Sequence, residues 1–157
     1  MANELSLVTP VNDVFRRDLE VADITLLDPT TALAFVQGEW VVPNTAGKVA
    51  RVGAASVRGA MQIFSQRGDM GAQAIGKIAC LQLHAYEAET TMFVDGLTPT
   101  VGDPLTVESA TIDGVAGRCG LKAATTGDFV YAHVTKAPAD NGGKLRYQTS
   151  ANLVPLA

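Results

Sequence analysis

Charged residues are scarce in this chain of 157 residues: Asp, Glu, Lys and Arg together make up 18%, against about 25% in an average soluble protein. The shortage is greater on the basic side, with twelve Lys and Arg against sixteen Asp and Glu, for a net charge of −4. A nucleic-acid-binding surface needs clustered Lys and Arg to release counterions from phosphates, so this balance argues against direct contact with nucleic acid. Disorder is excluded from the opposite side, since 47% of the residues are hydrophobic and a disordered chain is apolar-poor and charge-rich. There are two cysteines, Cys80 and Cys119. They lie too far apart for a metal or redox motif and read as buried, reduced thiols of a protein made in a cytoplasm. No apolar run approaches the roughly 18 residues of a membrane helix. The start, Met-Ala-Asn-Glu-Leu-Ser-Leu-Val, lacks the basic opening and apolar core of a signal peptide. The expectation is a protein with no membrane partner and no secretion signal.

What the chain has is apolar material in short, punctuated runs. Mean hydropathy is positive despite the low charge, which points to surface covered by other chains, a homo-oligomer in the simplest case. The length suits one domain, or one domain plus an arm, with enough core to need no disulfide or metal staple. Residues 129–135, 144–148 and 80–85 alternate apolar and polar side chains with period two, the pattern of half-buried strands. Further strands are expected at 22–27, 33–37, 39–42, 48–53, 91–94, 104–108 and 119–122. Gln37-Gly38, Asp95-Gly96, Asp113-Gly114 and Asn141-Gly142-Gly143 supply the left-handed backbone that tight turns require. The strongest hairpin expectation joins 129–136 to 144–148 across Asn141-Gly142-Gly143. Together these predict an all-β fold, a small β-barrel or β-sandwich with few or no helices.

Helix signals are weak. Residues 54–64 place Val57, Met61 and Phe64 on one face, but Gly59 interrupts them. Residues 6–19 space Val8, Val11, Phe15 and Leu19 at helical offsets, with Asp13 as a possible cap; an extended arm that takes shape against a partner fits as well. The division expected is an N-terminal arm at 1–20, extended or a short helix, and a single β-rich domain at 21–157.

Motifs of catalysis are thin. Gly71-Ala-Gln-Ala-Ile-Gly76-Lys77 has phosphate-loop spacing, but Ile78 stands where Ser or Thr would hold Mg²⁺, and a strand rather than a helix follows. It reads as a Gly-rich β-connection. Arg67-Gly68-Asp69 is an adhesion-type tripeptide made of ordinary loop residues. His84 and His133 could act as bases beside Glu87 or Asp128, yet no triad order or metal spacing supports them. There is no nucleophile elbow, no H-E-x-x-H and no close carboxylate pair in a recognisable setting. The expectation is therefore no enzyme, with no catalytic, cofactor-binding or metal residues. One competing enzyme class stays open, the trimeric dUTP pyrophosphatases, because Thr111-Ile112-Asp113-Gly114 echoes their uracil-binding hairpin. The Tyr that follows in that family is absent here, as are its Pro-Arg-Ser-Gly stretch and Gly-rich C-terminal motif.

The second half supports a different likeness. Thr100-Val-Gly-Asp-Pro-Leu-Thr-Val107, then Gly114, Gly117 and Gly120, then Thr126-Gly-Asp-Phe-Val-Tyr-Ala-His-Val-Thr-Lys136, resemble the decoration, or cement, proteins of tailed-bacteriophage heads and related virion structural proteins. The likeness covers roughly residues 95–148. It implies a non-enzymatic β-barrel-like protein on the capsid surface of a virion. Such a protein is made in the host cytoplasm, is often a homotrimer, and braces the major capsid protein without touching DNA. Those proteins commonly grip the capsid through an N-terminal arm or loops, which makes Phe15, Arg16 and Arg17 the candidate capsid contacts. A tail-tube, neck or head-completion protein is the nearest alternative within virions.

Overall fold

The computed structural model describes residues 5–10, 13–53, 57–64, 76–82 and 85–157. Eleven strands run in chain order: β1 (Leu5–Leu7), β2 (Arg16–Glu20), β3 (Trp40–Pro43), β4 (Val49–Arg51), β5 (Met61–Ile63), β6 (Lys77–Leu81), β7 (Glu87–Thr90), β8 (Pro104–Ile112), β9 (Val115–Ala123), β10 (Phe129–Lys136) and β11 (Leu145–Pro155). They form two antiparallel sheets, a six-stranded one ordered β1-β7-β11-β10-β8-β9 and a five-stranded one ordered β2-β6-β5-β3-β4. The all-β architecture is a sandwich. The smaller sheet curls until Val21, just past β2, meets Val49 of β4 at a single parallel bridge, which leaves it short of a closed barrel.

The curl explains where so much apolar sequence goes. Trp40 and Val41 are adjacent in β3 and point to opposite faces, yet both are fully buried. Trp40 joins Leu81, Tyr86, Leu105, Tyr131 and Tyr147 in the core between the sheets. Val41 joins Phe35, Ile63, Ile78 and Cys80 in a second core inside the curl. In the strand expected to be half-buried at 80–85, the neighbours Cys80 and Leu81 likewise serve one core each. The inter-sheet core also holds a polar knot. Tyr86 and Tyr147 donate their hydroxyls to Gln62 Oε1 at 2.8 and 2.6 Å, and Gln62 Nε2 donates to the Gly38 carbonyl at 3.0 Å. Each hydroxyl finds an acceptor, the usual arrangement for a buried polar group.

The turns in the larger sheet follow from sequence. Asp113 (φ 53°) and Gly114 (φ 76°) form the two-residue link between β8 and β9, and the Asp95 carboxylate accepts both of their backbone N–H groups, at 2.6 and 2.8 Å. Thr100-Val-Gly-Asp103 and Thr125-Thr-Gly-Asp128 fold alike. In each, the Asp N–H returns to the Thr carbonyl, the glycine has φ of 93°, and the Asp carboxylate accepts the Thr N–H at 2.8 or 2.9 Å. This is a type II turn, whose third position favours glycine. The two turns open β8 and β10, which pair directly.

Several expected elements take other forms. Residues 22–27 are not a strand: Ile24–Leu27 form a 3-10 turn because Asp23 accepts the Thr25 N–H and caps it. Residues 33–37 are loop, with Leu33 at φ 58°. The strand sought at 91–94 lies earlier, at β7, and Phe93 makes just one isolated bridge, to Leu121. Within 54–64, the positive φ of Gly59 precedes the buried strand β5, so no helix forms over its described part. Residues 54–56 lie outside the described residues. The strand expected at 80–85 is β6, shifted toward Lys77; Ala85 has φ 46°, and residues 83 and 84 lie outside the described residues. The helical offsets of 6–19 resolve into β1, which pairs with β7, and β2, which pairs with β6. These two strands are extended and belong one to each sheet; between them Asp13 is in a 3-10 turn, its N–H on the Pro10 carbonyl at 2.8 Å, and residues 11 and 12 of the expected helix lie outside the described residues.

Candidate interaction groove

Phe15 leads into β2, where its carbonyl accepts the Gln82 N–H at 2.8 Å. Phe15 is 55% exposed, unusual for so large an apolar residue. Arg16 and Arg17 follow, both exposed. The Arg16 guanidinium lies 5.3 Å from the Phe64 ring centroid, a cation–π contact that holds it flat on the surface. Of the three candidate contacts, Phe15 opens into a groove of about 550 Å³ lined also by Arg58, Met61, Gln82, Tyr131 and Leu153. Arg16 and Arg17 are not among the residues lining it.

Two local features shape the groove. The first is a large bulge in β11. Between the pairs Val130–Val154 and Ala132–Thr149, β10 advances two residues and β11 five, so 150–153 have no register partner on β10. The pairing of β7 with β11 ends at Gln148. Ala151, Asn152 and Leu153 thus leave the ladder and line the groove, the kind of departure by which a bulge re-aims side chains. The second feature is the turn at 57–60. Tyr131 accepts the Ala60 N–H through its hydroxyl at 3.1 Å and donates that hydroxyl to the Val57 carbonyl. Burial raises the Tyr131 phenol above its ordinary value, so the group stays a neutral donor. The anchored turn places Arg58 over the Phe129 ring, 5.5 Å from its centroid. Arg58 is the one formal charge among the described lining residues.

A second polar cluster joins the sheets. Glu39 is fully buried. It accepts from Arg51 Nε at 2.7 Å, Arg51 Nη2 at 2.9 Å, the Val36 N–H at 2.9 Å and the Cys119 N–H at 3.2 Å, with Arg118 Nη1 at 3.4 Å. Arg51 and Arg118 also donate to the Ala34 carbonyl, and Arg51 stacks on Phe35. Each donor is already committed to the protein, so this cluster ties the 33–37 loop to both sheets.

The remaining sequence candidates are dispersed. Asp128 is occupied by its own turn, and Glu87 Oε1 accepts the Thr135 hydroxyl at 3.2 Å. Neither is hydrogen-bonded to His133 among the described contacts, and His84 lies outside the described residues. So do Arg67-Gly68-Asp69 and residues 71–75 of the Gly-rich stretch; Gly76, at φ 68°, turns into β6. In Thr111–Gly114 the backbone N–H groups of Asp113 and Gly114 are taken by Asp95. Cys80 and Cys119 are free and buried, in different cores, and burial pushes both thiols up to about 12. Among the described residues no three His, Cys, Asp or Glu side chains group as a metal set, and no helix is long and apolar enough to cross a membrane.

Sequence reading missed Arg58 and Leu153. The alternation of Leu145, Tyr147, Thr149, Ala151 and Leu153 runs on unbroken, so nothing in the period marks the bulge. Gly59 beside Arg58 was the one local hint of a turn. No family model matches the chain, and no curated protein or solved structure matches it.

Proposed function

We propose that the chain is a non-enzymatic virion structural protein that binds the outer surface of a phage capsid and stabilises it, as decoration proteins do. It works as a homo-oligomer, a trimer in the simplest case, with the major capsid protein as partner. The observation that carries this reading is the Gly-Asp pattern together with its structure. Both halves of the pattern fold into the same glycine-dependent turn, and they open strands that lie side by side in one sheet. The motif that resembles decoration proteins is thus a repeated structural unit of the larger sheet. Exposed Val8, Phe15, Ile24, Leu33, Val101, Val115 and Val154 on a charge-poor surface agree with a protein covered by others in its working state.

The role is mechanical. A standard interface of about 1,600 Å², repeated around the shell, would stabilise it without chemistry. Purified protein is expected to co-sediment with expanded capsids of its phage and to raise their disassembly temperature. Capsids that neither bind it nor gain stability would overturn the proposal. Binding to tail tubes or necks, in rings of higher order, would move the protein to another part of the virion.

A further inference from the structure

The turn that joins β10 to β11 carries a reactive pair. Asn141-Gly142 is the sole Asn-Gly sequence in the chain. An asparagine side chain can be attacked by the backbone nitrogen of the next residue, and glycine has no side chain to hinder the approach. The Gly142 nitrogen bonds to Asn141 Cγ, its proton passes through solvent, and ammonia leaves, closing a cyclic imide. Water then opens the imide at either carbonyl. The products are aspartate or, with the chain rerouted through the side chain, isoaspartate. Each conversion consumes a water and releases an ammonia.

The folded turn opposes the first step. The imide ring is nearly flat, so the Gly142 nitrogen must swing to the Cβ side of Asn141. At ψ 33° it lies on the opposite side of the Cα–C bond. Backbone bonds hold that conformation: the Asn141 and Gly143 N–H groups donate to the Pro138 carbonyl at 3.2 and 2.9 Å, and the Lys144 N–H returns to the Asn141 carbonyl at 3.2 Å. The amide that would leave is also tied down. Asn141 Nδ2 donates to the Lys144 carbonyl at 3.0 Å. Asn141 bonds Glu89 as well, whose carboxyl is held below its ordinary value by Arg146 first and in part by this amide.

We infer that Asn141 is a deamidation site that the folded turn keeps closed, so that conversion requires the β10–β11 hairpin to open. The product does not fit the closed turn. A carboxylate at 141 has no donor for the Lys144 carbonyl and sets a second negative charge beside Glu89, and like charges in contact destabilise a sheet. Arg146 offsets little of this, because its guanidinium is already bound to Glu89. Isoaspartate lengthens the backbone of a turn whose next residues, Gly142 and Gly143, have φ of 64° and 86°. Conversion in an opened turn therefore hinders reclosure, and the site records local opening of the larger sheet. The inference is independent of the capsid reading.

The experiment incubates the full chain at mildly alkaline pH in native buffer and in denaturing urea. Mass spectrometry follows the peptide that contains Asn141 for the exchange of NH₂ for OH. Conversion is expected to run more than tenfold faster in urea than in native buffer. Rates within twofold of each other would show that the fold does not protect the site, and a chain that stays unconverted in urea would show that there is no site. Thermal melts then compare Asn141→Asp with Asn141→Ala, which removes the donor without adding a charge. Asn141→Asp is expected to melt lower than Asn141→Ala, and the gap should narrow when Glu89→Gln is added to both. An Asp variant that melts no lower than the Ala variant would overturn the claim that the product resists reclosure. Refolding of the urea-treated wild type gives the same reading without a variant. Converted chains should be depleted from the folded fraction, and equal proportions in folded and unfolded fractions would contradict it.

Discussion

Replacing Glu39 by Gln tests whether the joint between the sheets is electrostatic. The substitution keeps side-chain volume, so it opens no cavity; it removes a charge that is fully buried and bonded to Arg51, Arg118, and the N–H groups of Val36 and Cys119. It also turns an amide NH₂ toward groups that are all donors. Breaking one partner of a buried pair costs about 3–5 kcal/mol, chiefly because the other charge is left uncompensated. Both arginine side chains retain 14% exposure and can recover some hydration, which places the expected loss near the lower end, about 3 kcal/mol. Urea denaturation reads this directly. With a slope of about 2 kcal/mol per molar, the midpoint falls by about 1.5 M at unchanged slope. A cycle with Arg118→Gln is expected to show coupling of roughly 1 kcal/mol, since the residues share one network. A midpoint within about 0.3 M of wild type would refute the reasoning, because the cluster would then contribute no more than an exposed ion pair.

Three further outcomes follow from packing and burial. In Gly120→Ala the new Cβ would stand 2.4 Å from Ile112 Cδ1 and 2.6 Å from the Met92 carbonyl oxygen; that oxygen accepts the Leu121 N–H and cannot retreat. The variant is expected to lose about 1–3 kcal/mol, read as a lowered thermal midpoint, and Ile112→Val in the same chain should not restore it. Stability should fall as pH rises from about 9 toward 12. Cys80 and Cys119 are raised from 9.0 to about 12, so between those values the folded state holds protons that the unfolded chain has released, and stability is lost progressively across that window. Tyr86 and Tyr147, raised above 10.0 by burial, act in the same direction, and tyrosinate absorbance should rise together with unfolding; independent titration of these tyrosines in folded protein would contradict the buried knot. At neutral pH a thiol reagent should label neither cysteine until denaturant is added, and fast labelling of either would show that its core is open.

The sequence alone determined the β class and the turns of the second half, because both are local. Period-two alternation at 129–135 and Asn141-Gly142-Gly143 locate β10 and the hairpin to β11. Asp113-Gly114 locates the β8–β9 turn, since few residues other than Gly, Asn and Asp adopt positive φ there. The same local reading failed at 22–27, where one Asp cap outweighed an apolar run, and it left 6–19 open between a helix and an extended arm, where two strands form in different sheets. Only the tertiary structure decided that Trp40 and Val41 serve two cores, because full burial of both faces depends on the curl that brings Val21 to Val49. It alone gathered Phe15, Arg58 and Leu153 into one groove. Those residues are far apart in the chain, and no periodicity encodes a bulge that interrupts pairing while leaving the alternation of side chains intact.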